Sequence, residues 1–276
     1  MRADGLQLRT PEGEVTARPK LVTAEELRRG GEGAFDLALV STKAYSLGSA
    51  IEDFRPAVGA GTAVLPMLNG MRHMDTLVEQ FGEGRVLGGM CRVVAELGAD
   101  GWIAQRQGEP QELAFGERGE DRRTERIVRI AHELAVPGIT ATLSDDIVAT
   151  MWMKWWILAS LGAICVLARG SLGNVAAVTP YGPAMAEAVI AECTGIAAAN
   201  GYPADAAALA DHRARVVEVG SQMTTSMYRD LAKGAAVEAD QILGDLLLRA
   251  KGVAAPLTGA AYVQLKVYEA GRAAGA

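Results

Sequence analysis

The stretch Ser144-Asp145-Asp146-Ile147-Val148-Ala149-Thr150-Met151-Trp152-Met153-Lys154-Trp155-Trp156-Ile157-Leu158-Ala159 marks a change in the pattern of the chain. Before it, short apolar runs bounded by Gly, Pro and Asp alternate with helical periodicities. After it, strand signals stop. Ser144-Asp145-Asp146 offers an N-cap and early carboxylates, both favourable at a helix N-terminus, and the spacing predicts one long helix through Ala168. Its most apolar part, 155–168, is flanked by Lys154 and Arg169 and falls short of the ~20 residues that cross a bilayer. It reads as a buried helix, and no membrane partner is expected.

On the N-terminal side, the apolar runs at 35–40, 62–68 and 85–95 alternate with helical patterns at 45–54 and 75–81, the βαβ rhythm of a parallel sheet. Segments 102–105 and 112–115, separated by Gly108-Glu109-Pro110, predict a hairpin, followed by a helix over 122–134 and a strand over 139–143. On the C-terminal side the chain is alanine-rich and helical. Asn200-Gly201 closes one helix, Tyr202-Pro203-Ala204-Asp205 opens the next, and Gly220, Gly234 and Gly252 punctuate later ones. The expected domains are 1–144, α/β, and 145–276, all-helical.

A length of 276 residues fits two domains of ordinary size. With 50% hydrophobic and 22% charged residues, the composition is that of a globular protein and excludes a disordered tail, a collagen-like fibre and a coiled coil. The formal net charge is −6, and the densest basic run, Arg122-Arg123 with Arg126 and Arg129, is interrupted by acids. That is a solvated helix face, so nucleic acid is not an expected partner. Cys91, Cys165 and Cys193 lack CxxC spacing and suggest neither a disulfide framework nor a zinc site. No metal is expected. Met1-Arg2-Ala3-Asp4-Gly5 is polar at once, without a signal-peptide core, and a reducing cytoplasm is the expected location.

Four residues are placed for chemistry. Lys43 and Asn69 end apolar runs read as parallel strands, where open sheets bind ligands; equally, Lys43 could be solvated and Asn69-Gly70 an ordinary turn. Lys154 has no polar helix face to join. An ammonium held amid apolar groups loses solvation and its pKa drops toward the range useful for acid or base catalysis, unless it snorkels past the rings into water. Glu238 sits in the first turn of a helix after Gly234, with Gln241, Asp245 and Arg249 on its polar side and Ala239, Ile242, Leu243 and Leu246 on its apolar side. There the helix dipole alone accounts for a carboxylate. His73, His132 and His212 show no HxxxH or HExxH spacing, and no GxSxG elbow is present. The methionines and Trp152, Trp155 and Trp156 read as core.

Five stretches together resemble the ketopantoate reductase (2-dehydropantoate 2-reductase) family: Leu39-Val40-Ser41-Thr42-Lys43-Ala44, Leu68-Asn69-Gly70-Met71, Met151-Trp152-Met153-Lys154, Thr225-Ser226-Met227-Tyr228-Arg229-Asp230 and Val237-Glu238-Ala239-Asp240-Gln241-Ile242-Leu243-Gly244. They occur in the family's order and spacing. The resemblance implies a Rossmann-type α/β domain followed by an all-α domain of the 6-phosphogluconate dehydrogenase C-terminal type, with the active site in the cleft between them. The helical domain would bind substrate and dimerise, making a homodimer the expected assembly. The implied reaction is NADPH-dependent reduction of a 2-oxo acid, of the kind used in pantothenate biosynthesis. Lys154 is then the general acid that protonates the ketone oxygen and Glu238 its charged partner. Lys43 and Asn69 contact the nicotinamide and ribose side of the cofactor, Ala95 lies near its nicotinamide end, and Ser226 binds the substrate carboxylate.

Two departures from the family shape the expectation. Family members begin with a strand, GxGxxG and a second strand; this chain opens at Asp4-Gly5-Leu6-Gln7-Leu8, which resembles the family's sequence just after that unit. The Rossmann-type domain is thus expected to be N-terminally truncated, with about 25–30 residues of its first βαβ unit absent, either because the start codon is misassigned or because the pyrophosphate site has been lost. Gly59-Ala60-Gly61 and Gly82-Glu83-Gly84 follow helices and lead into strands, the wrong context for a pyrophosphate turn. Second, asparagines that line the family's substrate pocket are replaced by Leu158, Gly162, Leu172 and Met223. The competing readings are a non-catalytic dimerisation or binding module derived from such a reductase, and an opine- or hydroxyacid-type dehydrogenase sharing only the architecture.

Overall fold

The computed structural model describes residues 5–30, 35–105 and 111–274. Backbone contacts divide the chain into two compact units. The first comprises Met1–Thr42, Ser46–Leu68 and Leu77–Ile147; the second comprises Lys43–Tyr45, Asn69–Thr76 and Val148–Ala276. Two short segments that follow strands of the first unit therefore count, by their contacts, with the helical second unit.

The first unit opens with strands β1 (Leu6–Thr10) and β2 (Gly13–Ala17), an antiparallel hairpin with Leu6 opposite Ala17 and Thr10 opposite Gly13. Helix α1 (Ala24–Arg29) starts at a capping box, with Thr23 and Glu26 satisfying each other's free N–H groups. Strand β3 (Leu37–Val40), α2 (Leu47–Phe54), β4 (Ala63–Pro66) and α3 (Arg72–Phe81) come next. β3 and β4 run parallel, Leu37 beside Ala63 and Val40 beside Pro66. Then come β5 (Gly88–Val93), β6 (Ala95–Leu97), β7 (Ile103–Gln105), β8 (Gln111–Gly116), α4 (Glu125–Leu134) and β9 (Thr140–Leu143). β8 pairs antiparallel with β5 and parallel with β9. The core gathers Leu65, Leu87, Leu113, Phe115, Ile127 and Ile130. Ile127 and Ile130 stand three apart on α4, whose first turn is capped by the Thr124 hydroxyl.

The expected hairpin between 102–105 and 112–115 does not form. β7 instead pairs antiparallel with β6 through a tight turn in which Gly98 N–H donates to Trp102 O at 2.8 Å, and β1 lies parallel on its other side. Closing that short turn costs less chain entropy than a longer loop. It also leaves Leu113 and Phe115 of β8 free to enter the core against β5. Gly108-Glu109-Pro110 lies outside the described residues.

The second unit contains α5 (Ile147–Ala168), α6 (Leu172–Ala176), α7 (Tyr181–Ala199), α8 (Ala206–Val216), α9 (Ser226–Ala232), a π-helical turn (Asp240–Gly244), α10 (Asp245–Leu248) and α11 (Pro256–Ala273). The 22 residues of α5 are long and apolar enough to cross a bilayer by length and composition. Within this unit, however, Trp155, Trp156, Ala159, Ala163 and Ile164 are at most 1% exposed, so α5 is packed as a core helix with most of its apolar surface covered. α11 begins at Ala255-Pro256, where no side chain can cap. The buried carboxylate of Glu192 on α7 substitutes, accepting the N–H groups of Leu257 and Thr258 at 3.0 and 2.7 Å and the Thr258 hydroxyl at 2.7 Å.

Candidate functional site

The polar side of the segment around the π-turn is buried, and its groups hold other parts of the second unit. Glu238, 7% exposed, accepts the Ala44 N–H at 3.1 Å and lies 3.5 Å from Lys43 Nζ. Lys43 Nζ also donates to Asp230 Oδ2 at 3.2 Å. Burial works against the charge on Lys43, but the carboxylates of Glu238 and Asp230 outweigh it and raise the ammonium above the ordinary lysine range. Lys43 is thus held protonated at the end of β3. The residue before it, Thr42, has a buried hydroxyl oxygen without a hydrogen-bond partner.

Lys154, on α5, donates from Nζ to Asn69 Oδ1 at 2.9 Å. It is half-buried, whereas Trp155 and Trp156 beside it are fully buried. The ammonium is therefore not stranded among apolar groups: it has an acceptor. Asn69 begins a turn at the end of β4 in which Gly70 takes φ 77°, and a Cβ at Gly70 would collide with the carbonyl oxygen of Gln241. Only glycine satisfies both the left-handed backbone and that close approach.

Ser226 is the first residue of α9, but Thr225 makes the cap by accepting from Tyr228 N–H at 3.2 Å. The Ser226 hydroxyl is not spent on capping. Asp230, four residues on, lies on the same helix face and reaches Lys43. Lys43, Asn69, Lys154, Ser226 and Glu238 all belong to the second unit. Ala95 belongs to the first, exposed in β6 and opposite Gln105.

The four positions at which the resemblance implies asparagines divide into two kinds. Leu158 is half-buried and Met223 is 42% exposed, so both can face a ligand. Leu172 is fully buried, and a Cβ at Gly162 would stand 2.7 Å from Met227 Cε. Met227 thus fills the space a larger residue at 162 would need. Among the described residues no group of three or more His, Cys, Asp or Glu side chains could hold a metal ion.

The chain matches the family model described as ketopantoate reductase PanE/ApbA over residues 1–120 and that of its C-terminal part over residues 146–269. It belongs to the ketopantoate reductase family. A Bacillus subtilis relative, the uncharacterized oxidoreductase YkpB, is 33% identical over 275 residues, covering 98% of this chain and 87% of that protein. The 2-dehydropantoate 2-reductase of Mesorhizobium japonicum is 28% identical, covering 88% of this chain and 78% of its own. Among solved structures, 2-dehydropantoate 2-reductase from Methylococcus capsulatus shares the fold at a TM-score of 0.79 and 24% identity, covering 97% of this chain and 85% of that one. D-mandelate dehydrogenase with NADH and anilino(oxo)acetate shares it at 0.80 and 22%, covering 97% and 86%. The family is one of oxidoreductases, built from an α/β domain followed by a helical one.

Three residues that sequence reasoning gave no role join these contacts: Asp230, Gln241 and His73. Asp230 had a signal in its spacing from Ser226, and Gln241 in its spacing from Glu238. His73 had none, since its ring meets Gln241, 168 residues away in sequence.

A nicotinamide cofactor fits this residue set at one end. Within the second unit, the protonated Lys43 and the Asn69 amide are donors that would suit a ribose and a carboxamide. For the pyrophosphate, the 276 residues contain no GxGxxG turn.

Proposed function

We propose that this protein reduces a 2-oxo acid to a 2-hydroxy acid with NADPH, in the manner of a 2-dehydropantoate 2-reductase. The observation that carries the reading is the Lys154 Nζ to Asn69 Oδ1 bond of 2.9 Å, which orients a half-buried ammonium, a group able to donate up to three hydrogen bonds. NADPH, when bound, supplies the hydride that adds to the ketone carbon. Lys154 donates a proton from Nζ to the ketone oxygen as negative charge grows there, the role of a general acid. Ser226 hydrogen-bonds the substrate carboxylate. Glu238 holds Lys43 protonated and fixes the Ala44 backbone, and Lys43 and Asn69 meet the nicotinamide and ribose side of the cofactor, with Ala95 near the nicotinamide.

A second reading is a non-catalytic dimerisation or binding module derived from such a reductase, favoured by apolar or small residues at Leu158, Gly162, Leu172 and Met223. NADPH and NADH oxidation, followed by absorbance with a panel of 2-oxo acids, separates the two. Turnover by the wild type that is lost in Lys154→Ala supports the reductase; no turnover with any oxo acid at saturating cofactor supports the module. Sedimentation tests the further expectation of a homodimer, a state named for a ketopantoate reductase of Staphylococcus aureus with the same fold. We place the protein in the cytoplasm, and pantothenate synthesis is the role to test by complementation.

A further inference from the structure

We infer that Gln241 and His73 are positioning residues for Lys154: they pin the Asn69-Gly70 turn to the π-helix so that the Asn69 amide oxygen stands where it receives the ammonium. The inference rests on the proton-donor role proposed for Lys154.

The π-turn Asp240–Gly244 is a hub. Its widened hydrogen bonding, with Asp245 N–H reaching back five residues to Asp240 O, is a geometry found mainly at functional sites. Trp155 Nε1 donates to Ile242 O at 2.9 Å, tying α5 to the hub at the residue next to Lys154. Gln241 ties the other partner. Its Nε2 donates to Asn69 O at 3.0 Å and lies 3.0 Å from His73 Nδ1, a contact in which an amide nitrogen can only donate. Gly70 packs directly on the Gln241 carbonyl. Lys154 and Asn69 thus hang from adjacent residues of one rigid turn, and their 2.9 Å contact is set by it.

Burying an amide and an imidazole, here 7% and 1% exposed, costs free energy that an apolar pair would not cost. What the polar pair does in return is fix a backbone carbonyl. An Nδ1 that accepts from Gln241 leaves the ring's proton on Nε2, an atom that is buried without a hydrogen-bond partner. Burial, reinforced by the positive charge of Lys154, pushes His73 down to about 3. The ring therefore stays neutral, and Nδ1 stays an acceptor, throughout any ordinary assay range.

The test uses Gln241→Met and His73→Leu, which remove the polar functions at similar volume. His73→Asn is added because its amide oxygen restores an acceptor near the place of Nδ1. Two quantities are read: kcat and KM for NADPH-dependent reduction of a 2-oxo acid, and the NMR resonance of Lys154 in protein labelled with ¹³C at lysine Cε, assigned by its loss in Lys154→Arg. In Gln241→Met and His73→Leu, kcat is expected to fall about tenfold to a hundredfold, as for a misplaced catalytic group. KM should stay within about threefold, and the Lys154 resonance should move. His73→Asn should recover both. Wild-type kcat and resonance in Gln241→Met, or a His73→Asn as impaired as His73→Leu, overturns the inference. If Gln241→Met does not fold, Gln241→Glu, which can accept but not donate to Asn69 O, takes its place with the same expectation. If the wild type reduces no oxo acid, the proposed function fails and the resonance alone decides: a shift in Gln241→Met upholds the positioning, and an unmoved signal overturns it.

Discussion

At the scale of single residues, Lys154 and Glu238 make the sharpest predictions. Lys154→Ala should lower kcat by about 10²–10⁴, the usual worth of a general acid, with little change in the Kd for NADPH; stopped-flow turnover beside fluorescence titration measures both. Glu238→Ala leaves the Ala44 N–H without its acceptor and Lys43 with Asp230 alone. The expected result is weaker cofactor binding together with a loss of about 1–3 kcal/mol in stability from the unsatisfied buried donor. A third prediction concerns substrate. Lys154 and Leu158 are one turn apart on α5, Met223 is exposed, and Gly162 is closed off by Met227. If the proposed substrate lies along this face, a hydroxyl on its tail would meet apolar side chains. kcat/KM for branched apolar 2-oxo acids should therefore exceed that for ketopantoate by about tenfold to a hundredfold. Sequence reasoning reached Lys154 through its apolar neighbours. It read Glu238 by periodicity as one more carboxylate at a helix start, because a linear pattern marks a polar helix side without marking what covers it. In the fold that side is buried, and each of Glu238, Gln241 and Asp245 has a partner to hold.

At the scale of elements, legibility follows the range of the interactions that decide each one. Helices ended by local signals were readable: Asp205 caps α8 by accepting from Ala207 and Ala208 N–H, and Gly201 at φ 92° follows the end of α7. β7 and β8 each looked like half of one hairpin, because strand patterns do not encode their partners, and both paired elsewhere. The π-turn was also invisible, since its 239, 242, 243 and 246 stripe suits an α-helix as well. α11 shows how an element can borrow its start from another. With Ala255 unable to cap, Glu192 holds three donors of its first turn. Glu192→Ala strands them and should cost about 1–3 kcal/mol, read as a lower Tm. Glu192→Gln, which still presents one oxygen, should recover part of it.

At the scale of the whole molecule, the two units should differ in their response to acid, because the histidines are unevenly placed. His73 and His212 both lie in the second unit, buried, with burial as the main cause of pKa values pushed down to about 3 and about 4. His132 belongs to the first unit and its side chain is 87% exposed. A histidine whose pKa is lowered by folding binds its proton more readily in the unfolded chain. Stability is then complete above the unfolded value of about 6.5 and is lost as pH falls toward the folded values. Between about pH 6 and pH 4 His73 and His212 together take up about two protons on unfolding, a histidine contribution to the slope of about 2.7 kcal/mol per pH unit. Trp152, Trp155 and Trp156 all report on the second unit, and a Trp102→Phe variant makes tryptophan fluorescence report on it alone. Urea titrations of that variant at about pH 7, 6, 5 and 4.5 should show the midpoint falling steeply below about pH 6. His212→Phe keeps a ring against Trp156, which His212 meets edge-on at 5.2 Å, while removing one titrating group, so the slope should drop to that of about one proton. An unchanged slope would mean that His212 is not what makes the second unit acid-sensitive.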